Sequence, residues 1–195
     1  KAGIKELTNT VSGLQASIGT SYETAVSLVS ELAKIKYDGN IKEAAAGIDL
    51  FSRATGVSNG EVLQLTTNLS KGSGLSGKSI NALYAGMVKV QQEVGISDQG
   101  MTALVNSISE ASYNMTAFGK SSDEVKRMST DMVALVGSLE KVGISAQKST
   151  QFLNDLTDPD RIQDNILLYS QLGVSIEDAM SGSIDMDTMD SSLKE

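Results

Sequence analysis

Val94-Gly95-Ile96-Ser97-Asp98-Gln99-Gly100-Met101-Thr102-Ala103-Leu104-Val105-Asn106-Ser107-Ile108 reads as the end of one helix, a turn and the start of the next. Gly95 supplies the left-handed residue that stops a helix, Ile96 folds back onto apolar surface, and Ser97 offers its hydroxyl to the unpaired amides of a new first turn. Met101, Leu104, Val105 and Ile108 then recur at three- and four-residue intervals, the stripe of an amphipathic helix. The same phrase returns at Gly56-Val57-Ser58, Gly74-Leu75-Ser76, Gly143-Ile144-Ser145 and Gly173-Val174-Ser175, with Gly119-Lys120-Ser121 a degraded copy.

Acidic residues three places after the cap sharpen the reading. Ser58 with Glu61, Ser121 with Glu124 and Thr20 with Glu23 have capping-box spacing, and Ser175 with Asp178 is a weaker variant. Between caps the apolar residues keep helical spacing, as in Val125, Met128, Met132, Leu135, Val136 and Leu139. The intervals between the glycines vary too much for a solenoid of fixed period, so the expected fold is all-α, an array of short antiparallel helices or helical hairpins. Ile4, Leu7, Val11, Leu14 and Ile18 alternate at three and four, which leaves open a short coiled-coil seam in residues 1–36 beside an ordinary packed helix; Gly13 and Gly19 weaken the seam. Residues 37–157 read as the hairpin array. Residues 158–195 read as a final helix opened by Asp158-Pro159, running through Ile162, Ile166, Leu167 and Leu168, and then an acidic, loosely ordered end.

Composition narrows the chemistry. The chain of 195 residues has no His and no Cys, which removes thiol nucleophiles, imidazole bases, disulfides and the usual zinc sites together. No enzymatic activity and no cofactor is expected. The hydrophobic share is 40% but the aromatic share only 4%, so the core must come from Leu, Ile, Val, Met and Ala, and marginal stability is expected. No apolar run approaches the roughly 18 residues that span a bilayer, so the segment is expected to be soluble. It opens on Lys1 rather than Met and stops at Glu195 in a polar stretch, as expected of a piece of a longer protein. The net charge of −8 is concentrated: residues 155–195 carry ten acidic side chains against Arg161 and Lys194, and the rest is balanced. A neutral body with an acidic end offers no footprint for phosphates, so specific nucleic-acid binding is disfavoured.

Two motifs could carry chemistry. Gly72-Ser73-Gly74-Leu75-Ser76-Gly77-Lys78-Ser79 satisfies the P-loop pattern, in which Gly72 and Gly77 would let amides cradle phosphate, Lys78 would neutralise it and Ser79 would hold Mg²⁺. A P-loop follows a buried parallel strand, whereas residues 58–69 open with a capping box and place Val62, Leu65 and Leu69 on one helical face, so a helix-to-helix turn is the stronger reading. A small nucleotide-binding protein using this loop is the alternative. Asp185, Asp187 and Asp190 suggest a Ca²⁺ loop but lack the Gly and terminal Glu at their offsets, and no metal site is expected.

In style, the chain resembles the tail tape measure proteins of long-tailed phages and related prophage particles. The resemblance rests on ATGVSNGEVLQL (54–65), VGISDQGMTALVNSI (94–108), TAFGKSSDEVKRMSTDM (116–132), VGISAQKSTQFLNDL (142–156) and YSQLGVSIEDAMSG (169–182), with TSYETAVSLVSELAK (20–34) similar to that family's early helical region. It implies a virion component inside the tail tube that sets tail length and leaves ahead of the genome. Implied partners are tail tube and tail tip proteins, assembly chaperones and further copies of itself, with membrane contact only during ejection. The implied location is the tail lumen, and the host cytoplasm during assembly. Some members carry peptidoglycan hydrolase domains, whose motifs are not matched here. The segmented helices depart from the long uninterrupted ones expected along the tube, which points to a more globular region than the ruler itself. A generic helical oligomerisation or adaptor domain is a further alternative.

Overall fold

The computed structural model describes residues 4–37, 39–117 and 119–157; the expected final helix, the phrase at 173–175, the acidic end and the Asp185–Asp190 cluster lie outside the described residues. Eight α-helices are found among them: α1 Ile4–Ile18, α2 Tyr22–Lys34, α3 Ile41–Thr55, α4 Asn59–Thr67, α5 Gly77–Val94, α6 Asp98–Ala117, α7 Ser122–Lys141 and α8 Ala146–Thr157. A π-helical segment, Asn68–Gly72, prolongs α4. No strand occurs among the described residues. The chain is an all-α helical array.

The turns form for the reasons the sequence supplies. Gly56, Gly74, Gly95, Gly119 and Gly143 all take φ between 66° and 87°, a region costly for any residue with a Cβ. Val57, Leu75 and Ile96 after them are buried. The serine hydroxyls then accept from amides of the next helix: Ser58 from Glu61 at 3.3 Å, Ser76 from Ser79 at 3.3 Å, Ser97 from Gly100 at 3.2 Å and Ser121 from Glu124 at 3.3 Å. Both capping boxes at Ser58 and Ser121 close. The third does not form. At the start of α2 the cap is Ser21, whose Oγ accepts from the Thr24 amide at 3.1 Å and also reaches the Thr24 hydroxyl at 2.9 Å. Thr20 is buried, and its Oγ1 has no hydrogen-bond partner.

Packing runs mainly between second neighbours rather than within hairpins. The most extensive interfaces join α6 to α8 and α5 to α7; α3 with α5, α1 with α3 and α4 with α6 follow the same rule. One row is therefore α1, α3, α5, α7. The other is α4, α6, α8, with α2 against α1 and α3. A single apolar core runs through both rows from Val11 to Ala146 and so joins residues 1–36 to the array. The seam of α1 belongs to it: Leu14 is 1% exposed, Val11 is buried, and Leu7 and Ile18 pack on the core beside them. That apolar stripe is thus turned toward the chain's own helices.

Helix-interior glycines sit where rows close up. A Cβ on Gly137 of α7 would lie 2.9 Å from Val90 Cγ1 of α5, and one on Gly100 of α6 would lie 2.7 Å from Ala146 Cβ of α8. Gly86 of α5 has nothing within 4 Å of such an atom. The same substitution should therefore have opposite signs. Gly86→Ala should stabilise by about 0.5–1 kcal/mol through helix propensity, and Gly100→Ala should destabilise by about 1–2 kcal/mol through overpacking against a rigid Cβ. Urea unfolding of the two variants checks this. A stabilised Gly100→Ala would mean that α6 and α8 are not held at this separation.

Candidate functional site

The P-loop match folds as a helix connection. Residues 59–67 are α4, not a strand, and Gly72 closes the π-helical segment. Three amides of this stretch are bonded within the chain: Ser73 N–H donates to Asn68 O at 3.1 Å, Leu75 N–H to Leu69 O at 2.9 Å and Ser79 N–H to Ser76 Oγ at 3.3 Å. The Ser79 hydroxyl is 3.1 Å from Ser76 Oγ. Ser73 Oγ pairs with Thr116 Oγ1 of α6 at 2.9 Å, which ties the loop to the second row. Gly77 opens α5 and packs under the Tyr37 hydroxyl, while Lys78 points to solvent. These residues lie together as a capped turn between two helices.

Among the described residues, no three His, Cys, Asp or Glu come together as a metal site would require. Three groups are held away from their ordinary protonation behaviour. Burial pushes the Tyr84 phenol well above the usual range, although its hydrogen bond with Thr66 Oγ1 at 2.6 Å works against the shift. Tyr84 also donates to Val62 O at 3.3 Å and stacks on Phe51 with ring centroids 4.6 Å apart, so it locks α5 onto α3 and α4. The Ser58 hydroxyl holds the Glu61 carboxyl below its ordinary value, and the Ser121 amide does the same for Glu124. These shifts come from caps and a core clamp rather than from a poised acid or base.

Asp49 is the most buried acid described. Its Oδ2 lies 2.7 Å from Arg53 Nη2, one turn along α3. Arg53 also donates to Ile18 O at 2.9 Å, where α1 ends. Through Arg53 the pair fastens the end of α1 to α3.

What the array does offer is surface. Two adjoining apolar grooves run along the outward face of α5: one of about 680 Å³ against α3, floored by Phe51 and Tyr84 and walled by Leu50, Ala54 and Ala85, and one of about 360 Å³ against α7, with Ala82, Gly86, Val90, Val133 and Ala134. Small residues make them, because Ala and Gly on adjacent helices leave unfilled the space that larger side chains would occupy. Leu50 remains 49% exposed at the rim. Lys89 and Glu93, 3.7 Å apart, stand between the grooves and solvent. Sequence reading passed over this face, whose signal was Ala82, Ala85 and Gly86 on the polar stripe of an amphipathic helix.

Comparison with protein-family models, with curated proteins and with solved structures finds no match to this chain.

Two measurements follow from this geometry. With its loop following a helix rather than a strand, the protein should show the same thermal midpoint by circular dichroism with and without Mg²⁺ and ATP; a midpoint raised by several degrees would mean Lys78 holds phosphate. The caps set a pH dependence. The folded-state values of Glu61 and Glu124 are lowered, so their contribution is present above the unfolded value of about 4.3 and is lost as pH falls through the folded values. Unfolding at pH 7 and at pH 3 should then show Glu61→Gln/Glu124→Gln destabilised at the higher pH, with the difference shrinking at the lower one.

Proposed function

We propose that this chain is a non-catalytic, structural and interaction segment of a phage or prophage tail tape measure protein. The observation that carries the reading is local. Four of the stretches behind the resemblance, 54–65, 94–108, 116–132 and 142–156, coincide within the described residues with helix stops, turns and caps, so what is shared is a way of building a helical array from short, separately capped pieces. Physical properties of the array fit a protein that must pack into a tube and leave through it. There is no disulfide to break, and the core is built from small and aliphatic side chains with buried hydroxyls. No helix among the described residues is long and apolar enough to cross a membrane. The grooved face of α3, α5 and α7 supplies contact surface for tail tube and tip proteins, assembly chaperones or further copies of the chain. In this reading the segment resides in the tail lumen and acts in assembly, length determination and ejection.

The nucleotide-binding alternative gains no support from the loop at 72–79, which follows a helix rather than a strand. An adaptor that oligomerises through its first helix gains none from α1, whose seam packs inside.

In a phage encoding the full-length protein, in-frame removal of residues 4–157 should change tail length in electron micrographs or abolish delivery of DNA. Tails of unaltered length with undiminished infectivity would sink the proposal. Threading adds a second requirement: unfolding in denaturant should give a free energy inside or below the usual range of about 5–15 kcal/mol. A value well above it would count against passage through the tube.

A further inference from the structure

The outward face of α3, α5 and α7 carries its charges at its two ends and its hollows between them. The three helices run parallel and level: Gly47 stands against Asn81 and Phe51 stacks on Tyr84, while Gly74 stands against Ser122 and Gly137 against Val90. At the N-terminal end of the face are Glu43 of α3, Lys78 of α5 and Lys126 of α7, all exposed. Toward the C-terminal end of α5 are Lys89 and Glu93. Lys78 and Lys126 make no ion pair among the described residues, and the Lys89 with Glu93 pair, at 3.7 Å, is long and open to solvent.

Along α5 the exposed stripe is Lys78, Ala82, Ala85, Lys89 and Glu93, at three- and four-residue steps. Reversed end for end about a point between Ala85 and Gly86, this stripe meets its own complement. Lys78 falls opposite Glu93, Ala82 opposite Lys89 and Ala85 opposite Gly86. The flanks agree: Glu43 comes to the Lys89 end of the other copy and Lys126 to its Glu93 end, while the exposed Asp123 and Lys141 at opposite ends of α7 exchange places. A parallel arrangement would instead set Lys78 on Lys78 and Glu93 on Glu93. Leu50 gives the pairing an apolar anchor. It is 49% exposed and stands near the level of Ala85, beside Phe51, so reversal carries it onto the groove of about 680 Å³ in the second copy.

We propose that this face binds the same face of a second copy, α5 antiparallel to α5, with Leu50 of each copy seated in the α3–α5 groove of the other. The area suffices. The 18 residues of α5 make a face about 27 Å long, and three helices with axes about 9 Å apart make it about 27 Å wide, so roughly 700 Å² per copy meets its partner, close to the ~800 Å² per partner of a standard specific interface. The pairing rests on the reading of this grooved face as a contact surface and needs no phage tail; a chain that stays monomeric leaves the tail reading standing.

Sedimentation equilibrium of the 195-residue chain should show a dimer that dissociates on dilution. Leu50→Asp should weaken it about tenfold or more with the helical dichroism unchanged. Glu93→Lys should weaken it as well, and adding Lys78→Glu should restore it. Because the chain has no cysteine, single thiols report direction: Ala82→Cys mixed with Lys89→Cys should form a disulfide-linked dimer on mild oxidation, and neither should link to itself. A monomer at every concentration would overturn the proposal and leave the face to a different partner. So would a dimer indifferent to Leu50→Asp, or self-linking of Ala82→Cys, the mark of parallel pairing.

Discussion

Close approach between second-neighbour helices is the constraint on which the rest of this structure depends. Gly137 against Val90 and Gly100 against Ala146 set separations that a single added methyl would violate. With 4% aromatic residues the chain cannot bridge wide gaps between helices, so cohesion has to come from many short contacts at small separation. Glycine inside a helix costs about 1 kcal/mol relative to alanine. At these positions the closer packing offsets it.

The same economy shows in the polar residues of the interior. Thr55, Thr66, Ser112, Ser129 and Thr150 are buried, and each hydroxyl donates to the carbonyl four residues earlier, at 2.6–2.8 Å. A hydroxyl satisfied within its own helix occupies little room and asks nothing of the neighbouring helix. It also contributes little apolar burial. Specific ties between helices include Tyr84 to Thr66, Asn68 Nδ2 to Ser109 Oγ at 2.7 Å, Gln91 Nε2 to Thr55 O at 3.4 Å, and Arg53 to the end of α1. An interior of this kind holds register through a few polar pins, while each helix keeps its own cap. That combination suits a chain that separates helix by helix rather than through one large core.

Local punctuation was the most legible part of the sequence, because a left-handed glycine and a serine hydroxyl act within four residues. The boundaries around Gly56, Gly74, Gly95, Gly119 and Gly143 follow directly from it. What failed to show were features decided elsewhere in the chain. α2 is stopped by Lys36 rather than by a glycine; Lys36 takes φ 51°, and the Tyr37 amide reaches Leu32 O at 3.0 Å, so burial of Tyr37 outweighs the local cost. Thr20 and Ser21 compete for one cap, and Ser21 takes it while Thr20 turns inward. The π-helical turn at 68–72 lets Asn68 meet Ser109, a contact that no helical period announces. Seam residues in α1 were readable as an apolar stripe, but only the packing of α1 on α2 and α3 says what the stripe faces. The grooves were least legible of all, because alanine on a polar stripe looks like indifferent surface.

Small residues therefore act twice, and with opposite results. On sides facing the adjacent helix of a row they bring backbones together and close the core. On the outward side of α3, α5 and α7 no third row among the described residues meets them, and the same small side chains leave hollows floored by Phe51 and Tyr84. Such a surface is apolar without being crowded, so a ridge of aliphatic side chains could enter it without displacing the array. Filling those hollows from within, with larger residues at Ala85 or Gly86, would be compatible with the fold, since nothing lies within 4 Å of a Cβ at Gly86. Packing of the chain on itself thus leaves these positions free to vary, and their smallness is not a demand of the core.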